Sequence, residues 1–294
     1  MTLPQLREKA STLLKRTHRL TQALSRRSVD DHIENYLIHD FTNGDYGSSY
    51  GIRKKQRVEL VERMRTAVAS IPSATRMLYH VILARELLKV PASVEGDVVE
   101  CGVYKGASSA SLSLACALAG RRLWVCDSFA GLPDGESDIT RSYPHLKQYG
   151  HYRKGMYEGA LEEVRENIRR HGDLARCEFV KGLFSESLGI LPPRIAFAFV
   201  DVDLTVSMQD SIRHIWPRLV DEGQFYTDDS CDMEVVRVWF DDAWWGRELG
   251  QRAPGYIGSG CGLPMGVGIC SLGYAQKVAS VRTSYQQAAW SASP

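Results

Sequence analysis

The stretch IAFAFVDVD, residues 195–203, is apolar without a break from Ile195 to Val200 and then ends on two carboxylates, Asp201 and Asp203. A strand with helices over only one face alternates apolar and polar side chains, whereas one covered on both faces has no polar side to show. The run therefore predicts a central strand of a parallel sheet. Reading outward, DVVECG (97–102), RLWVCD (122–127), CEFVKG (177–182) and GQFYTDD (223–229) are strand-like, and they alternate with helical segments at 107–119, 159–170, 185–191, 208–219 and 234–245. This βαβα order predicts a doubly wound α/β sheet, and the glycine-rich tail GYIGSGCGLPMGVGICSLGYAQKV (255–278) is suited to a final antiparallel hairpin.

The chain has 294 residues, 44% of them apolar, and a net charge of +1, which suits one sizeable globular core and argues for neither a nucleic-acid partner nor a membrane. No apolar run reaches spanning length, and no signal peptide opens the sequence, so a cytoplasmic location is expected. The seven cysteines are scattered without metal-ligand spacing and read as reduced core residues. Residues 2–27 form a basic amphipathic arm, with Leu6, Leu13, Leu20 and Leu24 opposed by Arg16, Arg19, Arg26 and Arg27. Lacking an aromatic anchor, the arm reads as a docking helix against the body or a second subunit of a homo-oligomer rather than as a membrane contact. The polar loop HDFTNGDYGSSYG (39–51) has a composition suited to covering a site. Two helical segments follow, and Ser73 or Thr75 is placed to cap the second. These features divide the chain into a helical arm with lid elements (1–92) and a sheet-bearing core (93–294).

In such sheets ligands bind beyond the C-terminal strand ends. The first strand opens into ECGVYKGASS (100–109), where Gly102 and Gly106 permit a tight turn, but the G-x-G-x-x-G spacing that cradles a dinucleotide pyrophosphate is missing. Asp127 closes the next strand about 20 residues beyond that turn, the separation at which an acidic side chain takes the hydroxyls of a ribose. Read alone, Asp127 is equally a solvated turn residue. Asp201 and Asp203 lie two apart on one strand and so share a side, and Asp228 and Asp229 end the neighbouring one. Carboxylates gathered this way raise one another's pKa unless a cation sits among them, and oxygen donors alone suit a hard ion such as Mg²⁺.

In order and spacing, VVECGVYKGASS, WVCDSFAGLPD and FVDVDLTVSMQDSIRHIWPRLVDEGQFYTDDS resemble the macrocin O-methyltransferase family, over most of the chain from about residue 31 to 275. The resemblance implies the class I S-adenosylmethionine (SAM) methyltransferase fold, Rossmann-like, and a metal-dependent O-methyltransferase acting on a small-molecule natural product in antibiotic biosynthesis, such as a sugar or another vicinal diol. It implies Asp201, Asp228 and Asp229 as Mg²⁺ ligands, Asp203 as the base, and a SAM site lined by Glu100, Cys101, Gly102, Tyr104, Gly106, Ser108, Asp127, Ser128, Gly182 and Phe184. The family pattern has Gly where this chain has Val202 and Tyr where it has Thr205, so the acceptor is not carried over, and phenols and peptidic products stay open. The loop 131–155, with His145 and His151, has the length and aromatic content of a lid. Three other classes compete: a nicotinamide dehydrogenase, opposed by the missing glycine fingerprint; a metal-dependent phosphoesterase, opposed by the absence of accompanying histidines; and a SAM-binding module without catalysis.

Overall fold

In the computed structural model, residues 31–133, 152–231, 233–256 and 272–277 are described. A helix over residues 31–43 (α1) leads into α2 (Lys54–Ser70) and α3 (Met77–Lys89), and the sheet then begins. Its strands are β1 (Asp97–Cys101), β2 (Leu123–Asp127), β3 (Cys177–Lys181), β4 (Ile195–Val200), β5 (Leu219–Thr227) and β6 (Gly273–Gln276). The spatial order is β3-β2-β1-β4-β5-β6, parallel throughout except for β6, which runs antiparallel to β5 and pairs Tyr226 with Tyr274. The tail thus supplies an antiparallel edge strand, while the stretch 257–271 before it lies outside the described residues.

Helices α4 (Ala107–Ala119), α5 (Leu161–His171), α6 (Phe184–Ser187), α7 (Thr205–Ile215), α8 (Met233–Val238) and α9 (Asp242–Leu249) fill the connections. The period-2 geometry of β4 sends Phe197 and Phe199 to one face and Ala198 and Val200 to the other, and all four are fully buried. Phe197 and Phe199 join α1 to α5 in one apolar cluster; Ala198 and Val200 join α7, α8 and α9 in a second. Burial of each phenylalanine contributes about 2–3 kcal/mol, which is why a run with no polar position is stable only in the middle of a three-layer stack. The second cluster is dominated by indoles, with Trp216 edge-on to Trp245 at 5.1 Å and Trp239 edge-on to Phe225 at 4.9 Å.

Two local expectations are corrected. The loop 39–51 does not line the functional cavity: residues up to 43 continue α1, and the rest is tied to the N-terminal edge of the sheet. The buried Arg57 guanidinium donates to the carbonyls of Gly44, Tyr46 and Ile52, and the Tyr50 hydroxyl donates to the Val90 carbonyl at 2.7 Å. Nor do Ser73 and Thr75 cap α3, whose N-cap is Arg76, without a side-chain bond. Buried Thr75 faces His80 instead. Of the cysteines, Cys101, Cys116 and Cys126 are buried and free, and Cys177 is half-buried and free. No helix among the described residues is long and apolar enough to cross a membrane.

Candidate active site

The strand order reverses direction between β1 and β4, so their outgoing loops diverge and leave a crevice. A cavity of about 620 Å³ opens there, lined from the ends of β1, β2, β4 and β5, from the loop after β3, and from the α2–α3 connector Pro72 to Thr75. That connector was not legible as a wall, because a short Pro-Ser-Ala-Thr link looks like any helix junction. Its hydroxyls are fixed from behind: Thr75 Oγ1 lies 3.1 Å from His80 Nε2, and His80 Nδ1 lies 2.7 Å from Ser111 Oγ on α4. Burial lowers the His80 pKa to about 4, so the ring is neutral at physiological pH and links two hydroxyls.

Gly102 makes the turn out of β1 with φ +81, and a Cβ there would run into the Asp201 carbonyl oxygen. The Asp201 amide donates to the Cys101 carbonyl at 2.9 Å, so the turns after β1 and β4 are clasped together. Asp127 sits beside them with both carboxylate oxygens engaged: Oδ2 accepts from the Val103 amide at 2.8 Å and Oδ1 from the Phe129 amide at 2.7 Å. Burial raises its pKa and these amides pull it back. The Ser128 hydroxyl lies 3.4 Å from Oδ1 as well, so the carboxylate is held in one orientation at the cavity wall.

Of the residues expected around the cofactor, Gly102, Tyr104, Ser108, Asp127, Ser128, Gly182 and Phe184 line the cavity, whereas Glu100, Cys101 and Gly106 lie beneath it. Glu100 points from β1 toward the first turn of α4, wholly buried, and neither carboxylate oxygen makes a hydrogen bond of good geometry. Burial pushes its pKa up to about 7, and the approaching Ser108 and Ser109 hydroxyls only partly offset this. Gly106 serves α4 packing, since a Cβ there would press on Val164.

At the β4 and β5 ends the acidic residues converge, but by a different geometry from the one expected. The strand stops at Val200, so Asp201 and Asp203 are not alternate strand residues; Asp203 lies in the following turn with φ +60. This left-handed residue, not Val202, makes the bend, so a glycine at 202 is not required. Carboxylate oxygens of Asp201, Asp203 and Asp229 lie within 4.8 Å of one another. Asp229 is oriented by its own amide donating to Thr227 Oγ1 at 2.9 Å, and its Oδ2 accepts from the Val202 amide at 3.4 Å. Asp228 lines the same cavity outside this trio. Burial, followed by the charges of Asp228, Asp229 and Asp203, lifts the Asp201 pKa well above the usual carboxylate range.

The lid reading is only partly visible: 134–151, including His145 and His151, lies outside the described residues. The two ends of the loop are stitched together at the cavity wall, the Leu132 amide to the Met156 carbonyl and the Gly155 amide to the Leu132 carbonyl, both at 2.9 Å. Tyr157 follows with φ +56 and meets Tyr104, φ +46, edge-on at 5.7 Å. Three of the left-handed non-glycine residues, Tyr104, Tyr157 and Asp203, thus line one cavity, and backbone strain of this kind collects where function requires it.

The sequence profile described as Macrocin-O-methyltransferase (TylF) matches residues 53–248, two thirds of the chain and the whole frame of this site. The chain belongs to the macrocin O-methyltransferase family. Within it, 141 residues are 35% identical to the 8-demethyl-8-(2,3-dimethoxy-alpha-L-rhamnosyl)-tetracenomycin-C 4'-O-methyltransferase of Streptomyces olivaceus, covering 46% of this chain and 53% of that one. A second relative, the demethyldecarbamoylnovobiocin O-methyltransferase of Streptomyces niveus, is 32% identical over 143 residues, 47% of this chain and 53% of that protein. The chain matches about half the length of these curated relatives. The solved structure of the O-methyltransferase NovP superposes with a TM-score of 0.56 at 20% identity, over 75% of this chain and 97% of that one. The shared fold is the class I methyltransferase fold.

Proposed function

We propose that this family member is a SAM-dependent O-methyltransferase acting on a sugar hydroxyl of a natural product, with a divalent cation such as Mg²⁺ held in the acidic knot. The observation that carries this reading is the meeting of the Asp201, Asp203 and Asp229 carboxylates beside the Gly102 turn and Asp127 in one cavity. The donor set fits a hard cation: it is oxygen only, partly buried, and mutually repulsive without one. Family membership, and the rhamnosyl group in the name of the tetracenomycin relative, support the acceptor class.

SAM supplies a methyl already activated on sulfur, and the cation supplies positive charge that lowers the pKa of an acceptor hydroxyl. The chain does the rest. Asp127, fixed at the cavity wall, accepts hydrogen bonds from the ribose hydroxyls, while the Gly102 turn admits the cofactor close to the backbone. The acceptor O–H gives its proton to a carboxylate as the C–O bond forms and the C–S bond breaks, leaving S-adenosylhomocysteine (SAH) and the methyl ether. If Asp203 ligates with Asp201 and Asp229, Asp228 is the carboxylate left for that proton; if Asp228 ligates, the base is Asp203.

Calorimetry with SAH, and radiolabelled methyl transfer to a panel of deoxysugar glycosides with and without chelator, test the reading. Micromolar SAH binding and chelator-sensitive transfer are expected. No SAH binding would remove the proposal, and full turnover in chelator would remove the cation.

A further inference from the structure

Resting on the SAM-dependent reading above, we infer that Tyr104 and Tyr157 read the charge on the cofactor sulfur. Their rings hold the sulfonium of SAM in preference to the neutral thioether of SAH, so the site favours its substrate over its product. The two forms of the cofactor share the adenosine and the amino-acid end. They differ by one methyl and one positive charge, and a site tells them apart by what stands near the sulfur.

The two rings stand where that sulfur has to be. With the ribose on Asp127 and the acceptor hydroxyl at the acidic knot, the transferred methyl lies between the two places. Tyr104 belongs to the first: it follows Gly102 by two residues, and its amide joins those of Val103 and Phe129 in steadying the Asp127 charge. Tyr157 belongs to the second. Burial first, and then the charges of Asp203 and Asp201, raise the pKa of its phenol, which puts that hydroxyl in the field of the knot. The rings meet edge-on at 5.7 Å and both line the cavity, so the pair bridges the two places.

Both residues are held there against their backbone preference. Tyr104 has φ +46 and Tyr157 φ +56, a region that a bulky residue enters only when its surroundings impose it. Those surroundings come from α5 and the segment leading into it. Gly159 lies so close to the Tyr104 carbonyl that a Cβ would overlap it, and Asn167 Nδ2 donates to the Lys105 carbonyl at 2.9 Å. Lys105 Nζ stands over the Tyr104 ring at 5.8 Å, and its charge is offset by Glu163 at 2.6 Å. A tyrosine face offers negative potential without a formal charge, so a weakly hydrated cation such as a sulfonium gains from it, while a thioether of similar shape gains only dispersion. The rings therefore favour the cofactor before transfer and loosen their hold once the sulfur is neutral.

Calorimetry on the full chain in saturating Mg²⁺, without acceptor, measures Kd for SAM and for SAH. Tyr157→Leu and Tyr104→Leu should each weaken SAM by about 5- to 30-fold and SAH by less than about twofold. Tyr157→Phe keeps the ring and should keep the SAM-to-SAH ratio of the unaltered chain. A ring-fluorinated phenylalanine at position 157 keeps the shape but drains the face, and should reproduce the leucine loss even where a leucine variant folds poorly. Equal losses of SAM and SAH, unchanged SAM affinity in either leucine variant, a phenylalanine loss as large as the leucine one, or a fluorinated ring that holds SAM as tightly as the plain one overturns the inference while the SAM-dependent reading stands. Failure of the unaltered chain to bind either ligand removes that reading and the inference with it.

Discussion

The two ends of the sheet treat charge in opposite ways. At the N-terminal edge Arg121, almost fully buried, donates to the carbonyls of Gly96 at 2.5 Å and Val94 at 2.7 Å and to the Tyr50 hydroxyl at 2.7 Å. A charged group there finishes hydrogen bonds that the backbone leaves open. At the C-terminal edge Asp201, Asp203 and Asp229 face one another with no basic side chain among the described lining residues, and three left-handed non-glycine residues share the cavity. The first arrangement serves the folded state, while the second costs stability and makes sense only toward something that binds. Charge placement thus separates structural from functional ends better than polarity does.

The contrast breaks most sharply at Asp201. Asp201→Asn should cut methyl transfer by about 10²- to 10⁴-fold while the melting temperature holds or rises, because one like charge leaves a crowded, buried group. Activity assays paired with thermal melts check this, and a variant that unfolds would put Asp201 with Arg121 among the structural charges. Comparing Asp203→Asn with Asp228→Asn sharpens it further: one of the two should lower metal affinity, read by calorimetry, and the other should affect the rate alone, which tells ligand from base, and a drop in metal affinity for both would leave neither as the base.

Gly102→Ala is the next largest. The left-handed φ and the collision with the Asp201 carbonyl should together cost about 3 kcal/mol in urea unfolding, along with most SAH affinity. A neutral result would mean that the clasp between the two turns gives way easily.

Glu100 tests whether a buried acid outside the cavity behaves differently from the knot. Its folded pKa of about 7 lies above the unfolded value of 4.5, so the folded state holds the proton more tightly. That contribution is complete below pH 4.5 and is lost as pH rises toward 7. Over this window unfolding free energy should fall by about 3 kcal/mol, and Glu100→Gln should flatten the decline. An unchanged slope in the variant would assign the titration to another group.

The smallest effect belongs to the opposite pole. Arg121→Lys keeps the charge but loses the planar fork that reaches several acceptors, and should cost about 2 kcal/mol with kcat per folded molecule unchanged. A loss of kcat at constant stability would erase the distinction between the two ends.

The sheet was legible because burial on both faces leaves a mark on every residue of IAFAFV, and because helices and strands alternate in the chain. The site was legible in outline. Sequence brought the aspartates together through strand adjacency, and β4 and β5 are indeed parallel neighbours. It put Asp201 and Asp203 on a strand because nothing in DVD announces a left-handed aspartate, a conformation fixed by packing after the strand has ended. Glu100 was expected in the cofactor lining and lies outside it for a similar reason: one residue of register decides whether an acid at a strand end faces the ligand or the helix behind it. The connector Pro72 to Thr75 signalled only a helix cap, since its place in the cavity wall depends on a histidine and a serine from two different helices.

The clasp between Gly102 and Asp201 makes the cofactor turn and the acidic turn one mechanical piece. Whatever shifts one shifts the other, so occupancy of the two places is thermodynamically linked: if SAH tightens cation binding by some factor, the cation tightens SAH binding by the same factor. Reciprocity of this kind sets no order of loading; with both places filled, the acceptor meets a cleft whose two halves hold each other in position.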